Sequence, residues 1–187
     1  MKTVAALLAF ALLLVAGATA QTTNLKAPIA RAPAFLTSSG QSADVEMVKV
    51  LMTRSKLEFT MESDAPAKAL AASGAKTLVI AVGGSSKGLG AAGISAEAEL
   101  ERTKLMIAEA RKLGLKIIGV HVGGEARRGE LSDKFIAAVV PSCDYVVIVA
   151  EGDKDGLFKK LCGSKIPLDS VEKISQAGAP LAAAFFK

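Results

Sequence analysis

Three uninterrupted apolar runs, TLVIAV, KIIGVHV and YVVIVA, constrain this chain more than any other feature. A strand with one face in water alternates apolar and polar residues, whereas a strand without alternation is covered on both faces. Strands are predicted at 34–37, 57–61, 77–82, 116–122 and 145–150, with a weaker sixth at 166–171. Helices are predicted between and after them, at 43–54, 66–72, 96–113, 133–140, 156–161 and 172–186, the last interrupted by Pro180. Strand–helix alternation around doubly covered strands means a parallel sheet with helices on both sides. The expected fold is therefore one three-layer α/β domain, its doubly wound, mainly parallel sheet holding five or six strands in the order 2-1-3-4-5.

The helix at 96–113 has the clearest boundaries. Ser95 is a suitable N-cap, Glu97 and Glu99 occupy the first turn, Arg111 and Lys112 the last, and Gly114 stops it. Leu100, Met106, Ile107, Ala110 and Leu113 make its apolar side. The Glu99–Arg102 and Glu109–Lys112 spacings assign those pairs to the solvated side.

The first twenty residues read as a removable export signal rather than as part of the fold. A basic start at Lys2 precedes an Ala/Leu/Val core, and Ala18-Thr19-Ala20 is a small-x-small cleavage site, so the mature chain is expected to begin at Gln21. The apolar run is too short for a membrane span, and no cysteine follows the cleavage site to carry a lipid. The location is thus periplasmic or extracellular, with no membrane contact after cleavage. Residues 21–32, QTTNLKAPIARA, read as a flexible leader, and 33–187 as the single domain.

The balance of charge is mildly basic, +5 for the whole chain, without blocks of like charge. Seven Phe, one Tyr and no Trp supply no evident stacking platform, so nucleic acid is not an expected partner. Cys143 and Cys162 lie in an exported chain, where a disulfide persists once formed. A strand running one way and a short helix running back keep their Cα atoms apart, so both a bridge and two inert buried thiols stay open.

In such a sheet, every loop leaving a strand's carboxyl end lies on one edge, and ligands bind along that edge. The unusual loops of this chain collect there: TSSGQS after the first strand, GGSSKGLGAAG after the third, GGEARRG after the fourth and EGDKDG after the fifth. Gly88-Leu89-Gly90-Ala91-Ala92-Gly93 matches G-x-G-x-x-G formally, but residues 83–87 intervene after the strand and the next helix is expected only near Ser95. A P-loop needs Gly-Lys-Ser/Thr, and here Lys87 precedes Gly88. What remains is a generic cradle for a small anionic or polar molecule. Backbone amides of Gly83, Gly84 and Gly88 would hold it with Ser85, Ser86, Lys87, Arg127 and Arg128, while Ser39, Gln41, Gly123 and Gly124 complete the rim. The two arginines have an alternative, pairing with Glu125 and Glu130 in a solvated loop.

His121, the chain's one histidine, ends the fourth strand beside these loops; it is either a candidate general base or a satisfied core histidine. No G-x-S-x-G elbow supports a Ser–His pair, and no spacing recommends a metal site. Asp153 and Asp155 lack the later glutamate of a calcium loop and are expected to cap the following helix. No cofactor is implied.

The runs AFLTSSGQSADVEMVKVLM, TLVIAVGGSSKGLGAAGIS, VHVGGEARRGELSD and AEGDKDGLF resemble a family of bacterial proteins, often bearing signal peptides, that is classed as a domain of unknown function. The resemblance covers about 34–186 and implies one flavodoxin-like or Rossmann-like domain, with no activity or catalytic residue attached. Three functions follow as expectations: a binding module for a small anionic or polar ligand, a hydrolase or transferase using His121 in the same pocket, or a structural or protein-interaction domain. The export reading makes the first prediction: intact-mass analysis of the protein recovered from a bacterial envelope should give a chain starting at Gln21. A chain retaining Met1 contradicts it.

Overall fold

The computed structural model describes residues 23–186, so the export signal and Gln21 lie outside the described residues. Six strands form one parallel sheet: β1 (Ala34–Ser39), β2 (Phe59–Met61), β3 (Thr77–Val82), β4 (Lys116–His121), β5 (Tyr145–Val149) and β6 (Leu168–Val171), in the order β2-β1-β3-β4-β5-β6. The expected order holds, and the weak sixth strand adds one member to its far edge. The register pairs Ala34 with Thr77 and Ser39 with Val82, so β1 and β3 end level. Every residue of β1, β3 and β5 is buried, as their continuous apolar text requires.

Among the described residues, seven α-helices accompany the strands: α1 (Asp44–Arg54), α2 (Ala67–Ala72), α3 (Ser86–Ala92), α4 (Ala96–Lys112), α5 (Glu130–Val139), α6 (Leu157–Cys162) and α7 (Gly178–Ala183). Crossovers between parallel strands are right-handed. The step from β1 to β2 runs opposite to all later steps, which sends α1 to the other face of the sheet. Leu70, Met106, Phe135 and Phe158 from α2, α4, α5 and α6 therefore pack with Phe35, Ile80, Ile117 and Ile148. Val48 and Met52 of α1 and Leu181 of α7 pack with Leu36, Val79, Val120 and Val147 on the reverse.

Several boundaries differ from the sequence reading, three of them in ways that bear on the packing or the site. The glycine-rich stretch after β3 is not a long loop, because α3 starts at Ser86 with the Ser85 hydroxyl accepting from the Gly88 amide at 3.0 Å. α5 begins at Glu130 rather than 133. Pro180 lies in the first turn of α7 and starts that helix instead of interrupting it, since a first-turn amide needs no partner.

Residues 23–32, expected to lie loose, are docked. Two helices leave part of a six-stranded face bare, and Leu25, Ile29 and Ala30 cover it. The Ile29 and Ala30 amides donate to the Ala184 carbonyl at 2.9 and 2.8 Å. Farther out, Asp169 on β6 accepts from the Thr23 hydroxyl at 2.6 Å, the Asn24 amide at 2.8 Å and the Tyr145 phenol. Burial, and then its bond to Asp169, raises the Tyr145 pKa, so the phenol stays a donor. Cys143 and Cys162 are free and buried; burial pushes both thiols up, Cys162 to about 11, which leaves them unreactive near neutrality.

Asp169→Ala strands three donors at once and should cost about 3 kcal/mol, because donors to a buried charge lose both partner and solvent. Urea unfolding of the variant measures it; an unchanged midpoint would mean the leader is not fastened there.

Candidate functional site

Two backbones interlock where β1 and β3 leave the sheet. The Gly83 amide donates to the Ser39 carbonyl at 2.9 Å, and the Ser85 amide to that of Gly40 at 2.8 Å. Gln41 and Gly84 form an antiparallel bridge, and the Gly84 amide reaches the Ser132 hydroxyl at 2.9 Å. Glycine is required for this closeness. A Cβ on Gly88 would lie 1.8 Å from the Gln41 carbonyl oxygen, and one on Gly40, at φ +94°, 2.5 Å from that of Gly83. The amides of Gly83, Gly84 and Gly88, expected to cradle an anion, thus donate within the protein. Ser86 and Lys87 project into solvent on the first turn of α3.

A carboxylate stands at the same junction. Glu99 is 0% exposed, although its spacing to Arg102 assigned it to solvent. Its Oε1 accepts from the Gly40 amide at 2.9 Å, Gln41 Nε2 at 3.0 Å and Arg102 Nη2 at 2.9 Å, and its Oε2 from Arg102 Nε at 2.7 Å. Arg102 also donates to the Ala65 carbonyl at 2.8 Å and the Ser38 carbonyl at 2.5 Å. Ser39 is buried beneath, its hydroxyl 3.1 Å from that of Thr103. The anion position of this junction is filled by the protein's own side chain.

His121 is 1% exposed, on the α5/α6 side of the sheet. Nδ1 lies 2.9 Å from the Val82 carbonyl oxygen and Nε2 3.4 Å from that of Gly124, while the ring packs on Phe158 with centroids 5.1 Å apart. Both nitrogens face acceptors, so the ring N–H anchors the end of β4 to β3. Arg128 extends the same cluster over Phe158. Its Nε donates to Asp133 at 2.7 Å and Nη2 to Asp155 at 2.8 Å, and Nη1 reaches the Gly152 carbonyl. Those partners are neither Glu125 nor Glu130. Arg128 holds the Asp155 carboxyl down at about 2. Asp153 and Asp155 cap α6 as expected, accepting from the Phe158 amide at 2.7 Å and the Leu157 amide at 3.2 Å.

The opposite side of the β4 exit is open. A cleft of about 410 Å³ lies beyond the ends of β4, β5 and β6, floored by Val122 and Val149 and flanked by Gly123, Gly124, Glu151, Glu172, Lys173 and Ser175. Arg127 packs on Gly123 behind that lining, with Nε 3.4 Å from Asp44 Oδ1 at the start of α1. A Cβ on Gly123 would meet Asp44 Oδ2 at 2.3 Å and the Arg127 side chain at 2.0 Å. The expected site residues thus divide three ways. Ser39, Gln41, Gly83, Gly84, Ser85 and Gly88 close the β1/β3 junction, with Ser86 and Lys87 exposed beside it; His121 and Arg128 brace one face; Gly123 and Gly124 line the cleft, with Arg127 packed on Gly123. Asp44, Glu151, Glu172, Lys173 and Ser175 were not singled out by sequence reasoning, because each is an ordinary polar residue in its own segment.

The sequence profile of a domain of unknown function, DUF6305, matches residues 31–185. The chain belongs to this family. No curated protein matches it. Membership in DUF6305 covers both the closed junction and the open cleft, along with all six strands.

Glu99→Ala would leave Arg102, the Gly40 amide and Gln41 without their common acceptor. A stability loss of about 4 kcal/mol is expected from breaking a buried charge pair, read from denaturant unfolding. A loss below about 1 kcal/mol, the range of exposed pairs, contradicts that role.

Proposed function

We propose that this domain is an exported binding module that holds a small polar molecule in the cleft beyond β4, β5 and β6. The observation that carries the reading is where unpaired polar groups collect. Parallel α/β sheets bind ligands at the carboxyl ends of their strands. On that edge the β1/β3 junction is closed by its own backbone and Glu99, whereas the cleft of about 410 Å³ is open. The Glu151 and Glu172 carboxylates at its rim make no side-chain hydrogen bond or salt bridge among the described residues, Glu151 acting on Lys154 only through its charge, and Lys173 adds a positive charge. A concave, apolar floor with a few polar groups around it is the usual form of a small-molecule site. Recognition of charge then falls to side chains rather than to the glycine-loop amides. The reading includes no reaction, since His121 is enclosed on the other face of the sheet.

A thermal-shift screen of residues 21–187 against amino acids, amines, carboxylates, phosphates and sugars tests it. A ligand at a hundred times its Kd should stabilise the fold by about 2.7 kcal/mol. Ser175→Trp, which fills the cleft from an exposed position, should abolish the shift. A flat panel, or a shift that survives Ser175→Trp, contradicts the proposal.

A further inference from the structure

Among the described residues, two buried side-chain atoms have no hydrogen-bond partner in the protein: Ser38 Oγ and Asp44 Oδ2. Buried polar groups are nearly always paired, so two orphans in one strand-to-helix segment call for a reason. Both lie on the α1 side of the sheet, since Ser38 alternates in phase with Leu36, which packs there.

Asp44 is the more demanding of the two, being a carboxylate only 8% exposed. Among the described residues its one ionic partner is Arg127, and the contact is poor. Nε approaches Oδ1 at 3.4 Å without the paired fork that guanidinium and carboxylate prefer, and nothing reaches Oδ2. The Arg127 side chain is 42% exposed and has no other polar partner among the described residues. Its short turn runs between Gly124 at φ +59° and Gly129 at φ +123°. The free oxygen lies against the bare Cα of Gly123, which is itself a wall of the cleft.

An oxygen of this kind lacks a donor, and a buried carboxylate requires positive charge as well. In the cleft the Glu151 and Glu172 carboxylates outnumber the one cation, Lys173, and this net negative charge repels an anion and attracts a cation. We infer that the cleft takes a small molecule bearing a protonated amino or guanidino nitrogen, which Asp44 receives, and that Arg127 is a placeholder displaced on binding. This rests on the cleft reading above and names the chemistry of its ligand. The placeholder is an intramolecular guanidinium on a glycine-flanked turn, so its exit requires no change in the sheet.

Titration calorimetry with agmatine, and with succinate and 1,5-pentanediol as anionic and neutral counterparts of similar reach, tests the inference. Agmatine should bind more tightly than either counterpart. Asp44→Asn, which keeps the shape of the side chain, should weaken agmatine at least tenfold. Arg127→Ala should tighten it severalfold, because the competing cation is gone; a merely structural Arg127 would not shift affinity in that direction. If succinate binds preferentially and Ser175→Trp abolishes it, the cleft reading stands and the cationic ligand is wrong. If agmatine binds but Asp44→Asn has no effect, or Arg127→Ala weakens it, the assignment of those two residues is overturned. If no probe binds, the inference and the cleft reading both fail.

Discussion

A carboxylate removed from water needs hydrogen-bond donors and a cation close by, and Glu99 finds both at the end of β1. The remaining Arg102 donors turn to the carbonyls of Ser38 and Ala65. One ion pair on α4 thereby joins the exit of β1, the segment leading from β2 into α2, and the helix that covers them. Holding the Gly40 amide in this way fixes the next residue, Gln41, at φ +53°, a conformation its side chain disfavours, with its carbonyl packed against Gly88. Gly84 and Gly88 after β3 are then dictated by the backbone they must approach. Their role is to let two loops meet, and the place where strand order reverses becomes solid.

That closure has a functional consequence. A doubly wound sheet ordinarily offers its ligand site where the strand order switches, between β1 and β3 here. With that crevice filled by Glu99 and by backbone hydrogen bonds, the next opening along the same edge is beyond β4, where Gly123 and Gly124 keep side chains out of the way. Asp44 connects the two regions. It begins α1, next to the closed junction, yet its free oxygen faces the wall of the open cleft.

Much of this was legible in the text of the chain, and the omissions have physical causes. TLVIAV, KIIGVHV and YVVIVA announce doubly covered strands; the order β2-β1-β3-β4-β5 matches the expected doubly wound sheet, although alternation and handedness alone do not fix it. α3 was hidden because SKGLGAA has the composition of a loop; tertiary contact with Gln41 overrides its low helix propensity. The burial of Glu99 was present in the spacing, since 99, 103, 106 and 110 form one stripe with Met106 and Ala110, but its charge and its i,i+3 arginine argued for solvent. The docked leader depends on Asp169 and Ala184, far away in sequence, and no local pattern reports that. Asp44 and Arg127 meet across loops from different strands, so the pair exists only once the sheet is assembled.

Amide-resolved hydrogen exchange on the ligand-free protein tests the closed junction most directly. The account predicts that the amides of Gly40, Gly83, Gly84, Ser85 and Gly88 exchange as slowly as those of β3, because each donates to an acceptor within the fold. The amides of Gly123 and Gly124, at the open cleft, should exchange much faster. Loop-like exchange at Gly83, Gly84 and Gly88 would show that these donors are free, returning the glycine-rich stretch to the role of an anion cradle and contradicting the central claim.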